Sequence, residues 1–141
     1  MKAINTILLP GDIDYGWRTI RMEAANQGDL GMLGVAYVLR NRLEWRRNDR
    51  WATLAQVCLD WLQFSEWREA DATFLPTLAY VLDATGLRCL NALVTALSGT
   101  QPDPTQGARH YFNPKHANPA WARGKAPCVV ISDHHFFNNV A

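Results

Sequence analysis

Residues 30–47, LGMLGVAYVLRNRLEWRR, decide the reading of the fold. Leu33, Val35, Ala36, Tyr37, Val38 and Leu39 leave the first half of this stretch without a polar face. A helix that is apolar nearly all round is buried on every side, so the segment is predicted to be the central helix of a helical body. Its second half turns polar through Arg40, Asn41, Arg42 and Glu44 and is expected to approach the surface.

Toward the N-terminus, Ile13, Trp17, Ile20 and Ala24 recur at spacings of four, three and four and share one face of a helix. That helix is predicted over 13–27, capped by Asp12 or Asp14 and broken at Gly28-Asp29. At ~100° per residue, Glu23 falls roughly 80° from the centre of the stripe, between buried and wet. Its neighbours one turn away, Thr19 and Gln27, are uncharged hydrogen-bonding groups. A carboxyl held there is partly desolvated, its pKa rises toward neutrality, and it suits general-acid chemistry. The competing reading is an ordinary solvated helix residue.

Toward the C-terminus, Thr53-Leu54-Ala55-Gln56 has capping-box spacing and opens a short helix. The segment 60–68 reads as an irregular connection. A helix is expected over 71–84, with Phe74, Leu75, Leu78, Val81 and Leu82 on one side and Gly86 ending it. Leu87, Leu90, Leu93, Val94 and Leu97 define a last amphipathic helix that stops at Ser98-Gly99. Beyond lie a turn-rich loop at 101–107 and short strand candidates at 110–112, 128–131 and 135–137. The fold class is therefore mainly α (α+β): one domain over 1–141 with its core at about 13–137, and an irregular, β-containing C-terminal flap against a helical body.

With 48% apolar and 19% charged residues in 141, the chain suits a globular protein with a real core. A net charge of +1 predicts neither nucleic-acid nor membrane binding. Arg40, Arg42, Arg46, Arg47 and Arg50 make one helix end and the turn after it basic. They either face an anionic polymer or complement the helix dipole. Cys58, Cys89 and Cys128 are widely spaced and odd in number, which suits small buried thiols made in a reducing cytoplasm. The run Ile7-Leu8-Leu9 is too short for a signal peptide or a membrane span, so synthesis is expected in the cytoplasm, without stable membrane insertion.

Four further clusters could carry chemistry. Gln63-Phe64-Ser65-Glu66-Trp67 interleaves rings with polar groups, as sugar-binding surfaces do; its alternative is a pair of core anchors, Phe64 and Trp67. In His110-Tyr111-Phe112-Asn113-Pro114, a strand sends Tyr111 and Phe112 to opposite sides, one to the body and one to a groove. Trp121 is a loop anchor or a sugar-stacking ring. His134 and His135 are adjacent, so in a strand they point apart and do not chelate together. No metal and no cofactor are expected, and no nucleotide-binding or nucleophile-elbow motif occurs.

Taken in order, these pieces resemble the cell-wall hydrolase family typified by the spore-cortex-lytic enzymes, including its phage-borne members. The resemblance rests on residues 17–24 (WRTIRMEA), 34–42 (GVAYVLRNR), Gln63-Phe64-Ser65, residues 103–108 (DPTQGA) leading into Tyr111-Phe112-Asn113-Pro114, Trp121, and the ending 131–137. Gln27, Glu66, Ser132 and Phe137 depart from the family pattern, Ser132 standing where the ending has Gly. The resemblance implies a lysozyme-like fold of the lytic-transglycosylase type, acting between N-acetylmuramic acid and N-acetylglucosamine of peptidoglycan glycan strands. It implies Glu23 as catalytic acid, with Ser65, Tyr111 and Asn113 lining the site and Gln63 and His134 nearby. Glu66, if it faces the groove opposite Glu23, would instead permit two-carboxylate hydrolysis. The expected context is a monomeric phage or prophage endolysin that depends on a holin-like membrane permeabiliser. A non-catalytic glycan-binding or virion module, and a metal-dependent amidase, are the alternatives from other classes.

Overall fold

A computed structural model describes residues 2–45, 53–60, 64–68 and 71–140. The central stretch forms one helix, α2 (Gly28–Trp45), on which every residue from Gly31 to Arg40 is buried. It packs against α1 (Pro10–Ala24), α3 (Leu54–Cys58) and α5 (Ala84–Ser98), as a helix with no polar face must. A short α4 (Phe74–Ala79) lies against α1. The strands β1 (His110–Phe112), β2 (Val129–Ile131) and β3 (His134–Phe137) form an antiparallel sheet in the order β1-β3-β2. A small cluster of Val38, Ala108, Ile131 and Phe136 joins that sheet to α2. The protein is thus mainly helical with a small sheet, as expected.

The sheet approaches α2 closely because Gly34 has no side chain. A Cβ there would lie 2.8 Å from the ring of Phe136, which is fully buried and cannot yield. Gly34→Val is expected to destabilise the fold by about 1–3 kcal/mol, read as a lower Tm with retained helical circular dichroism.

The element boundaries differ from expectation in instructive ways. α1 starts at Pro10, in the first turn where its missing N–H costs nothing, and ends at Ala24 rather than at 27. Asp12 is not the cap; it lies within the first turn, where its carboxylate accepts from Leu9 N (2.7 Å) and from Ala55 N (2.9 Å). Thr53 and Gln56 form the expected reciprocal cap of α3.

The helix expected over 71–84 is only α4. Arg18 donates to the carbonyls of Thr77, Leu78 and Tyr80 (3.1, 2.9 and 2.8 Å), which ends α4 without a further turn. Asp83 then caps α5 through Gly86 N at 2.9 Å, so Gly86 opens the last helix instead of ending the previous one. Leu75 and Val81, expected on one side of that helix, are 72% and 67% exposed. On α5 the inward face carries Cys89, Ala92, Leu93, Ala96 and Leu97, while Leu87 and Val94 are exposed. Gly99 ends α5 in the left-handed conformation, as expected.

Arg40 and Arg42 are buried, which removes them from any basic surface. Arg40 reaches the carbonyls of Ala96 (2.7 Å) and Lys2 (2.6 Å) and pairs with Glu44, while Arg42 donates to Arg109 O at 2.6 Å. Arg46, Arg47 and Arg50 lie outside the described residues. Cys58 and Cys89 are buried and Cys128 partly so, all as free thiols. Among the described residues no helix is long and apolar enough to cross a membrane.

Candidate active site

The last turn of α1, the 3-10 turn Ser65–Trp67 and one edge of the sheet enclose a cleft of about 650 Å³. Glu23, Arg42, Glu66, Asp71, Tyr111 and His134 are among its lining residues. Glu23 stands at the edge of the α1 stripe, half-buried, while Trp17, Ile20 and Ala24 are in the core. The phenol of Tyr111 donates to Glu23 Oε2 at 2.5 Å.

Strand alternation brings Tyr111 there. It pairs with Phe136 in register, and its ring lies 4.9 Å from His134 and 5.5 Å from Phe136. Phe112 stacks on Phe137 at 5.6 Å with an interplanar angle of 13°.

Glu66 is placed by the residues around it. Phe64 is wholly buried, so it anchors the turn and presents no face to a sugar. The indole N–H of Trp67 donates to Thr19 Oγ1 at 2.9 Å, and its ring meets Tyr15 edge-on at 5.0 Å. Thr19 lies one helical turn before Glu23, so this anchor delivers Glu66 to the Glu23 carboxyl, with which it shares a hydrogen bond. Glu66 is 2% exposed. It therefore sits beside Glu23 rather than facing it across the groove.

Burial raises the pKa of Glu23; the hydrogen bonds with Tyr111 and Glu66 and the positive charge of Arg42 oppose the rise without cancelling it. Burial, and then the charge and hydrogen bond of Glu23, push Glu66 up to about 9. Burial likewise holds the Tyr111 phenol well above its ordinary value. Glu66 thus keeps a proton at neutral pH, and the raised pKa of Glu23 beside the open cleft suits it to acid catalysis.

The other expected residues divide. Asn113 lines the cleft; its side-chain oxygen accepts from Lys115 N at 2.9 Å, which leaves its amide N–H groups for a ligand. His134 is 4% exposed, and burial lowers its pKa to about 4, so it is a neutral imidazole. It is buried while His135 is only partly so, in keeping with side chains that point apart. Trp121 is not among the cleft-lining residues; it packs against His110, Phe112 and Phe137 at 5.1, 5.7 and 5.2 Å as a loop anchor. Gln63 and the side chain of Ser65 lie outside the described residues.

Two departures from the family pattern meet in space. Ser132 adopts a left-handed φ of 52°, a conformation that favours glycine. Its hydroxyl donates to Gln27 O at 2.9 Å, and the Gln27 side chain clasps Asp133 through the backbone N at 2.9 Å and the carboxylate at 3.2 Å. Sequence reasoning missed Arg42 and Asp71 as site residues. Arg42 lies three and four residues beyond Leu39 and Val38, a position on the buried stripe that could have marked it as an interior cation. Asp71, held at Oδ1 by Thr73 N at 2.9 Å, sits in an irregular segment with no periodic signal. No group of three or more His, Cys, Asp or Glu side chains that could hold a metal ion occurs among the described residues.

Among solved structures, the chain is similar to the catalytic domain of the germination-specific lytic transglycosylase SleB from Bacillus anthracis. The TM-score is 0.68 at 23% identity, covering 95% of this chain and 99% of that one. The catalytic domain of the Bacillus cereus SleB protein gives a TM-score of 0.68 at 21% identity, covering 95% and 94%. At such identities the likeness establishes the fold. No curated protein matches the chain significantly. The family model described as Cell Wall Hydrolase matches residues 26–137, a span that starts just after Glu23 and takes in Glu66, Tyr111 and His134. With that span covering most of its length, the chain belongs to the cell wall hydrolase family.

Proposed function

We propose that this protein cleaves peptidoglycan between N-acetylmuramic acid and N-acetylglucosamine as a lytic transglycosylase, with Glu23 as acid and then base. The observation that carries this reading is a half-buried carboxyl of raised pKa at an open cleft, fixed by Tyr111, with its nearest carboxyl neighbour beside it. Family membership supports the substrate, and the lytic transglycosylase named among the similar structures supports the reaction type.

In the first half-reaction, protonated Glu23 gives its proton to the glycosidic oxygen as the C1–O bond breaks. In the second, the Glu23 carboxylate takes the proton of the muramic acid 6-hydroxyl as O6 bonds to C1, closing a 1,6-anhydro ring. Water is not a reactant. Two carboxyls in hydrogen-bond contact are closer than the ~5–9.5 Å that a nucleophilic or water-activating partner keeps, which disfavours Glu66 as a hydrolytic second carboxylate. Asp71, in the same cleft, favours a second reading in which it activates a water.

Digestion of purified peptidoglycan followed by muropeptide mass analysis tests both. Anhydromuramic ends are expected. Reducing ends that disappear in Asp71→Asn would establish hydrolysis, and cut stem peptides would exclude either glycosidase.

The proposed setting is an endolysin acting as a monomer, supported by the resemblance to phage-borne members of the family. Expression in a bacterial host is expected to lyse cells only when a holin-like permeabiliser is co-expressed; lysis without one would refute that setting.

A further inference from the structure

Glu66 departs from the family pattern, and the structure carries it into hydrogen-bond contact with Glu23. At 2% exposure it is sealed between buried Phe64 and the Trp67–Thr19 anchor and has almost no access to a ligand. Its Oε1 is buried, and among the described residues no donor reaches it. An ionised carboxylate only accepts hydrogen bonds, so two ionised carboxylates in contact would have no hydrogen between them and would repel. A proton on Glu66 removes both problems, because the neutral acid donates to Glu23. The titratable or charged groups that act on Glu66, or on which it acts, are Glu23 from α1, Cys58 from α3, Asp71 ahead of α4 and Tyr111 from β1. Arg42 from α2 completes the set through Glu23 and Tyr111. The charges of Glu23 and Asp71 both favour retention of a proton on Glu66.

We propose that Glu66 is a positioning residue that keeps its proton throughout the reaction and donates it as a hydrogen bond to the Glu23 carboxylate, in addition to the bond from Tyr111. The proposal rests on the assignment of Glu23 as acid and base. When Glu23 has given its proton to the glycosidic oxygen, its negative charge is held by two donors, the Tyr111 hydroxyl and the Glu66 carboxylic acid. When Glu23 takes the proton from the 6-hydroxyl, both donors remain in place. The Glu66 proton is never transferred, so the proton count of the two half-reactions is unchanged. Such donors act where charge develops and need no reorganisation at the moment of reaction.

Two substitutions separate this role from its rivals, assayed on purified peptidoglycan across pH. Glu66→Gln keeps the size and an N–H donor, and it is expected to retain kcat within about threefold of wild type. Glu66→Leu fills the space without a donor. It is expected to lower kcat about 10- to 100-fold at little-changed KM and to move the alkaline limb of the pH profile upward, because Glu23 loses a bond that favours its anion. A merely structural Glu66 would give equal losses in both variants with no movement of the limb, and that result overturns the proposal. So does abolished turnover in Glu66→Gln, which would mean that Glu66 must ionise.

A readout that needs neither substrate nor activity is the carboxylic-acid C=O band in the infrared spectrum at pH 7. The band should be present in wild type and lose the Glu66 share of its intensity in Glu66→Gln, any remainder belonging to protonated Glu23. Its absence from wild type overturns the proposal even if Glu66→Leu fails to fold. Glu23→Gln assayed in parallel distinguishes the two failures: an active Glu23→Gln sinks the function itself, whereas an inactive one beside a wild-type-like Glu66→Leu sinks only the role of Glu66.

Discussion

Glu23→Gln is expected to lower the rate of peptidoglycan cleavage by about 10²- to 10⁴-fold, the usual contribution of a positioned general acid. The amide keeps the volume of the side chain and still accepts from Tyr111, so the cleft keeps its shape. It has no acidic proton to give to the glycosidic oxygen and no anion to receive one from the 6-hydroxyl, so both half-reactions fail together. Binding should persist, and co-sedimentation with intact sacculi measures it beside a turbidity assay of lysis. Full lysis by the variant would refute the mechanism and leave a glycan-binding module as the better reading. A chelator is expected to leave wild-type lysis unchanged, whereas a metal-dependent amidase would lose it.

The second large effect is on stability. The folded pKa of Glu66 is about 9, against ~4.3 for an unfolded glutamate. A raised folded value means that the native state holds a proton which the unfolded chain has already released. The stability tied to that proton is complete below pH ~4.3 and is lost as pH climbs toward 9. His110 and His134, lowered to about 4 by burial, act in the opposite sense, and their effect is confined to pH below ~6.5. Between pH 7 and 9 the carboxyl therefore acts without them. Wild type is expected to lose about 1.4 kcal/mol per pH unit there, on the order of 3 kcal/mol across the window. Glu66→Gln carries no titrating group and should remove one proton's share of that slope, read as Tm against pH. Parallel slopes for the two proteins would mean that Glu66 is ionised in the native state.

Part of the site was legible in the sequence because its signals are local. The edge position of Glu23 follows from the spacing of Trp17, Ile20 and Ala24, and half-burial is what an edge position gives. The cap at Thr53 and the left-handed stop at Gly99 are set by side chains a few residues apart. The expected helix over 71–84 failed because its apolar spacing was real but its backbone partners were distant. Arg18 takes three carbonyls some 60 residues along the chain and stops α4. Phe64 and Trp121 were ambiguous from type alone, since an aromatic ring serves equally as anchor or as platform.

The sequence by itself determined a buried central helix, an amphipathic α1 carrying one edge carboxyl, three short strands after Gly99 and a resemblance to cell-wall hydrolases. Helical and strand periods repeat every few residues, so composition along the chain is enough to reveal them. Only the tertiary structure decided that Tyr111, 88 residues away, holds Glu23 and that Glu66 stands beside Glu23 instead of facing it. The 3-10 turn that carries Glu66 is too short to have a period. Its direction is set by where the Trp67 indole finds Thr19 and where Phe64 finds the core, and those are contacts between segments far apart in the chain.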